Sequence, residues 1–331
     1  MENNQLVTLI ISMYKGKKYI RECIESVLKQ SYKNIELILI DDGSPDDCGK
    51  IADEYALSDK RVKVVHQKNS GVSKSRNVGL DLATGDYVGI VDQDDILSTD
   101  YVDYFMSLIK KYNAQIALVP TADKFFDSIK EPSNNDNVQI CSGEDVTIQM
   151  LYHKIIIGPW NKLIKRTLLV ENNVKFNPNF FGGEGFAFSI EAYQYADKVA
   201  VGSRNVYHYR VGDPETGASK FRLSSIESSL NAQEYILGKL KKSTPALLKA
   251  WNFSYWHTCC DCLNLMVGSG VTDMYDDMYK KLSITCQRKA MIAISAPISA
   301  QQKLRGILFK INPRFASNVI NRFRVRNFNK A

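Results

Sequence analysis

The chain has 331 residues, 44% hydrophobic and 24% charged, the balance of an ordinary soluble globular protein and long enough for two domains. No apolar run approaches the roughly 18–20 residues of a membrane span, and Met1–Gln5 lacks the basic start of a secretion signal. Seven unevenly spread cysteines exclude a disulfide framework and favour the reducing cytoplasm, while the net charge of +7 hides an acidic body and a basic tail.

Leu6 to Ser12 is almost continuously apolar, as a strand buried on both faces is. Tyr19, Ile20, Cys23, Ile24, Val27 and Leu28 then recur at helical spacing. Ile35 to Ile40 predicts a second buried strand, ending in the turn-forming Asp41-Asp42-Gly43-Ser44-Pro45. A helix over Asp47 to Tyr55 and a strand over Val62 to Val65 follow. Ser73 is expected to cap a helix reaching Leu82, and Tyr87 to Val91 to form the next strand. Thr99 is expected to cap a helix with Val102, Phe105, Met106 and Ile109 on one face. Ala114 to Val119 reads as a strand and Asp127 to Asn137 as a polar loop. A short helix near Val146 to Tyr152, a mixed stretch from Trp160 to Val170, a helix from Phe186 to Ala196 and a strand around Val206 to Tyr209 complete the first part. Beyond Phe221 the pattern is helical, with a boundary expected between Val211 and Ser219. This alternation predicts an α/β fold, a Rossmann-like, mostly parallel sheet flanked by helices with a C-terminal helical extension.

The strand Val88 to Val91 runs directly into Asp92-Gln93-Asp94-Asp95. Carboxylates that close raise one another's pKa unless a cation or strong donors hold them ionised. Mg²⁺ or Mn²⁺ favours oxygen ligands and shares them with phosphates, so a metal-bound diphosphate is the expected ligand. Ser12-Met13-Tyr14-Lys15 and Asp41-Asp42-Gly43-Ser44 also follow strands, and in a parallel sheet such ends meet at one crevice. Asp42 suits a base or ribose, and Gly43 admits close backbone approach.

As a set, Ser12 to Tyr14, Glu22 to Tyr32, Asp41 to Ser44, Asn69 to Ser73, Ser75 to Gly79 and Asp92 to Asp95 resemble a family 2 glycosyltransferase of the GT-A type. Weaker similarity runs through Trp160 to Leu163 and Glu184 to about Arg210. The resemblance implies a catalytic domain over 1–215, with a nucleotide-binding half at 1–100 and an acceptor half at 101–215, before the helical region 216–331. It implies inverting transfer from a nucleotide-sugar, usually a UDP-sugar, to a glycan or lipid-linked acceptor in cell-surface polysaccharide synthesis. Carried across, it assigns Ser12 and Tyr14 to the nucleotide pocket, Asp42 to uracil or ribose, and Arg76 to the diphosphate or ribose. Asp92, Asp94 and Asp95 become the Mn²⁺ or Mg²⁺ ligands. Arg210 is offered as a clamp on the diphosphate, with an ordinary surface strand as the alternative.

The family's general base is the Asp of a Glu-Asp pair, whereas this chain reads Glu184-Gly185. Glu184, Glu191 and Asp213 are the candidates for that proton, and Glu184 also reads as a first-turn helix acid. A nucleotide-sugar-binding assembly partner without activity and a nucleotidyltransferase are the rival readings. No Gly-rich, Lys/Arg-bearing phosphate loop lies near residue 12, against the second. Trp160 suits core packing or acceptor stacking. His257-Thr258-Cys259-Cys260-Asp261-Cys262 matches no zinc spacing and reads as buried thiols.

No acidic residue follows Asp277, while twelve basic residues do. Leu304, Ile307, Leu308 and Ile311 line one helical face, and Phe315, Val319 and Phe323 recur after Pro313. This basic amphipathic tail predicts either peripheral contact with an anionic membrane, at the inner face, or a helix packed on the body. Nucleic acid is not an expected partner, since the body is acidic.

Overall fold

A computed structural model of the chain describes residues 5–125, 136–211, 221–241 and 243–328. The strands in chain order are β1 (Val7–Met13), β2 (Ile35–Asp41), β3 (Val62–His66), β4 (Tyr87–Asp92), β5 (Ile96–Leu97) and β6 (Ile116–Leu118). They continue with β7 (Asp123–Phe125), β8 (Gln139–Cys141), β9 (Lys162–Lys165), β10 (Val199–Val201) and β11 (Tyr207–Arg210). Among the described residues an eight-stranded sheet runs β3-β2-β1-β4-β9-β6-β10-β8, and β5-β11-β7 form a smaller one. The first four strands are parallel, and β1 at their centre pairs with both β2 and β4. That position explains its unbroken apolar run, since both faces of β1 and β2 lie in the core. The sheet is mixed beyond β4, because β9 enters antiparallel between β4 and β6.

Seven helices accompany these strands: α1 (Ile20–Leu28), α2 (Cys48–Ser58), α3 (Val72–Leu82), α4 (Tyr101–Tyr112), α5 (Gly143–Leu151), α6 (Arg166–Glu171) and α7 (Glu184–Tyr193). Two expected caps are corrected. Helix α3 starts at Val72 with Gly71 at its N-cap, where φ is 92°, and Ser73 is buried inside the first turn. At α4 the N-cap is Asp100, whose carboxylate pairs with Arg204 instead of capping, and the Thr99 carbonyl accepts from the Ser31 N–H.

The chain divides into two compact units, Met1–Val146 with Ile155–Asn179 and Glu184–Val211, and Thr147–Lys154 with Phe180–Gly183 and Gly212–Ala331. The expected boundary loop and most of the stretch Asp127 to Asn137 lie outside the described residues. The second unit is built on α8 (Leu223–Lys239), α9 (Pro245–Gly268), α10 (Asp276–Lys289), α11 (Met291–Ser295), α12 (Ala300–Ile311) and α13 (Pro313–Phe328). Thr244 caps α9 by accepting from the Leu247 N–H, with Pro245 at the first helical position. Cys259, Cys260 and Cys262 are buried on α9, and none of the seven cysteines is in a disulfide. Among the described residues no helix is long and apolar enough to cross a membrane.

Candidate active site

The site begins with backbone. Ser12 on β1 sits opposite Ile40 of β2 and Asp92 of β4, so three strand ends arrive at one level. The loop after β1 is then tied to the acidic turn by Gln93. Its Nε2 donates to the Tyr14 carbonyl and its Oε1 accepts from the Tyr14 N–H, both at 2.9 Å. Lys15 follows in the left-handed region at φ 54° and donates its N–H to Ser44 Oγ at 2.8 Å. Tyr14 keeps its ring exposed at this edge, which suits a flat ligand.

Asp42 lies in a nest of donors. Its Oδ1 accepts from the Ser70 N–H at 2.8 Å and from Gln67 Nε2 at 2.7 Å, while Oδ2 accepts from the Gly71 N–H at 2.8 Å. Burial alone would raise this carboxyl, but the bonds from Gln67, Ser70 and Gly71 outweigh it and hold the pKa below the usual range. Gly43, at φ 64°, has no room for a side chain, since a Cβ would lie 2.8 Å from the Asn69 nitrogen. Beside it, Asp41 accepts from the Ser44 N–H and pairs with His66 Nδ1 at 2.9 Å.

Two carboxylates of the acidic turn, Asp92 and Asp95, face different partners. Asp92 Oδ1 accepts from Arg76 Nη2 at 2.8 Å. Asp95 is fully buried, accepting from the Tyr207 hydroxyl at 2.7 Å and the Arg210 N–H at 2.9 Å. Burial, then the charges of Asp92 and Asp94, push the Asp95 carboxyl up to about 9 despite those two bonds. Arg210 sends Nε to the Asp94 carbonyl at 2.8 Å and Nη2 to Glu22 at 2.7 Å, with its guanidinium over the rings of Tyr19 and Phe125. Arg210 therefore braces the turn itself.

The oxygen-only donor set, crowded enough that the charges of Asp92 and Asp94 help push Asp95 up, fits a hard divalent cation. Among the described residues, however, no three His, Cys, Asp or Glu side chains converge on one metal position. The fit is thus to a cation held by one or two carboxylates and completed by a ligand's phosphates, the usual habit of Mg²⁺.

Arg76 joins this turn to Glu184. Its guanidinium is buried, stacks over Phe176 and donates to Glu184 Oε1 at 3.1 Å as well as to Asp92. Glu184 opens α7, and Gly185 behind it is buried. A Cβ on Gly185 would lie 2.7 Å from Cδ of Pro159, a rigid ring atom. The carboxylate that the Glu-Asp pattern carries at this place has no room on this backbone. Glu191 is buried further along α7, and Asp213 lies outside the described residues. Trp160 is buried and stacked on Tyr207 at 4.2 Å, so it is core and supports the residue that holds Asp95.

Several contributors carry no local sequence signal. Tyr207 acts on Asp95 from 112 residues away and Pro159 on Gly185 from a separate segment, and Gln93 reads only as the spacer of the acidic motif. Lys162 is another, buried with its Nζ donating to the Gly158 carbonyl at 2.8 Å and Ser189 Oγ at 3.1 Å.

A family profile described as glycosyl transferase family 2 matches residues 8–172, spanning β1 to α6. Glycosyltransferase GlyG of Streptococcus pneumoniae is 30% identical over 242 residues, covering 67% of this chain and 76% of GlyG. The chain belongs to glycosyltransferase family 2. GlyA of the same organism is also 30% identical, over 62% of this chain, but the match spans only 30% of GlyA. Among solved structures, Staphylococcus aureus TarS in complex with UDP superposes with a TM-score of 0.65 at 17% identity, over 97% of this chain and 91% of that one. The mannosyltransferase PcManGT of Pyrobaculum calidifontis, in complex with GDP-Man and Mn²⁺, gives 0.58 at 14% identity, over 95% and 86%. At these identities the likeness is one of fold, and that fold is GT-A.

Proposed function

We propose that this family 2 chain transfers a sugar with inversion from a UDP-sugar to a glycan or lipid-linked acceptor, at the cytoplasmic face of a membrane, in cell-surface polysaccharide synthesis. The observation that carries the reading is the Arg76 guanidinium held between Asp92 of the acidic turn and Glu184 of α7. It sets a carboxylate suited to a proton beside one suited to a metal-bound diphosphate. The complexes of TarS with UDP and of PcManGT with Mn²⁺ support the choice of donor and ion by analogy of fold.

In this reading Asp42 and the Tyr14 ring take the nucleoside, and Ser12 lines the floor beneath it. Asp94 and Asp92 would hold Mn²⁺ or Mg²⁺ with the diphosphate, whereas Asp95, expected as a third ligand, is fully buried on Tyr207 and the Arg210 N–H and would stiffen the turn instead. The bound ion supplies Lewis-acid stabilisation of the departing diphosphate. The acceptor oxygen forms its bond to the anomeric carbon as the carbon–oxygen bond to the diphosphate breaks. Glu184 receives the acceptor's hydroxyl proton at its carboxylate, and the Arg76 bond keeps that carboxylate aimed.

Two measurements test this. UDP-sugars should raise the melting temperature more with Mn²⁺ than without, and Glu184→Gln should keep that shift while transfer falls by about 10²–10⁴-fold. No shift with any uridine compound refutes the donor; unchanged transfer in Glu184→Gln refutes the base.

A further inference from the structure

Helix α12 turns the wrong face outward for a helix that merely packs on its own unit. Its inward residues are Gly306 and Phe309. Gly306 lets α12 close on α11, where a Cβ would lie 2.7 Å from Ala293 Cβ, and Phe309 meets the Trp256 ring edge-on at 6.1 Å. Arg305 pins the same side to α9, donating to Asp261 at 2.8 Å and to His257 Nε2 at 3.1 Å. The stripe the sequence singles out lies opposite. Leu304 is 56% exposed, Ile307 43% and Ile311 69%, and Phe315, at the start of α13, is 55% exposed. Met291 and Ile294 of α11 are exposed as well.

Spacing of three and four residues from 304 to 311 makes an apolar row along α12 rather than scattered single contacts, and Phe315 is exposed in the first turn of α13, past the extended Asn312. Lys303, Lys310 and Arg314 accompany it, and no acidic residue occurs anywhere after Asp277. A row of large aliphatic side chains exposed over two turns is costly in water. A protein partner with an acidic groove would meet these charges, but so does a bilayer surface, which needs no matching shape. We propose that α12 and the start of α13 are the surface by which the enzyme docks on an anionic phospholipid bilayer. Leu304, Ile307, Ile311 and Phe315 enter the acyl boundary, while Lys303, Lys310 and Arg314 meet the headgroup phosphates. This deepens the proposed location at a membrane and is independent of the donor chemistry in the first unit.

The test is sedimentation of the full chain with vesicles of phosphatidylcholine alone or of phosphatidylcholine mixed with phosphatidylglycerol, whose negative surface attracts polybasic segments. The wild type should partition onto the anionic vesicles and weakly onto the neutral ones. Leu304→Ser/Ile307→Ser/Ile311→Ser should lose about tenfold or more in partitioning, and Lys303→Gln/Lys310→Gln/Arg314→Gln about tenfold. Both variants should keep the wild-type melting temperature and UDP-sugar shift, because none of these residues supports the core or the site. A wild type that stays in the supernatant overturns the proposal, as does a serine variant that still binds fully. A wild-type dimer that the serine variant converts to monomer also overturns it, by identifying a second copy as the occupant. Failure of the UDP-sugar shift with vesicle binding intact would strike the donor reading alone.

Discussion

Replacing Gly185 with Asp restores the usual Glu-Asp pair, and the structure says what should follow. The new Cβ would lie 2.7 Å from Pro159 Cδ and 3.3 Å from its Cγ, so the proline ring or the start of α7 must shift. Overpacking of this kind costs about 1–3 kcal/mol. Removing a helical glycine and adding an acid near a helix N-terminus return about 0.5–1 kcal/mol. The net expectation is a loss of about 1–2 kcal/mol, or a melting temperature lower by about 3–6 °C for a unit of this size. Gly185→Asp/Pro159→Ala opens the space and should recover most of that loss, giving a coupling of about 1 kcal/mol in a double-mutant cycle. Calorimetry of the four proteins reads the cycle, and a transfer assay reads the base. A Gly185→Asp protein as stable as the wild type and faster in transfer would refute both the steric argument and the assignment of Glu184.

Asp42→Ala leaves the Ser70 and Gly71 N–H groups without their acceptor and should cost about 2 kcal/mol at neutral pH, read by urea unfolding. Because the folded-state pKa is lowered, the Asp42 contribution is present above the ordinary carboxylate pKa and is lost as pH falls through the folded value. The wild-type advantage should therefore shrink on acidification, and an advantage independent of pH would contradict the hydrogen-bond account. Lys162→Met tests the opposite situation, an amine whose pKa burial pushes well below its usual value and whose hydrogen-bond partners, the Gly158 carbonyl and Ser189 Oγ, are uncharged. The depressed pKa makes folding oppose protonation, a penalty present at neutral pH and relieved as pH rises toward the unfolded value. Lys162→Met should thus be neutral or stabilising by up to about 2 kcal/mol, and a large loss in chemical denaturation would show that the amine is needed.

What the sequence disclosed follows from where the chemistry is local. β1, β2 and β4 were legible because a strand buried on both faces shows as a continuous apolar run. β5, β7, β8 and β10 span two or three residues, too few to display a period, and β9 is stabilised by pairing with two distant strands. The Ser73 and Thr99 caps failed because tertiary contacts had already supplied the geometry at Gly71 and engaged Asp100. At the site, the acidic turn and Asp42 lay in plain view, as runs of charge at strand ends. The grip of Tyr207 and Arg210 on Asp95 was hidden, since it crosses more than a hundred residues. The reason for Gly185 was hidden likewise, for Pro159 is adjacent to it only after folding.

The rung that sets Ser12 beside Asp92 is peptide bonding alone, indifferent to which apolar groups flank it. Substitution of one apolar group for another along both strands therefore leaves the emergence points of the two loops unmoved. Transplanting entire loops from relatives onto this frame, instead of altering strand residues, is accordingly the sounder engineering route to a different donor.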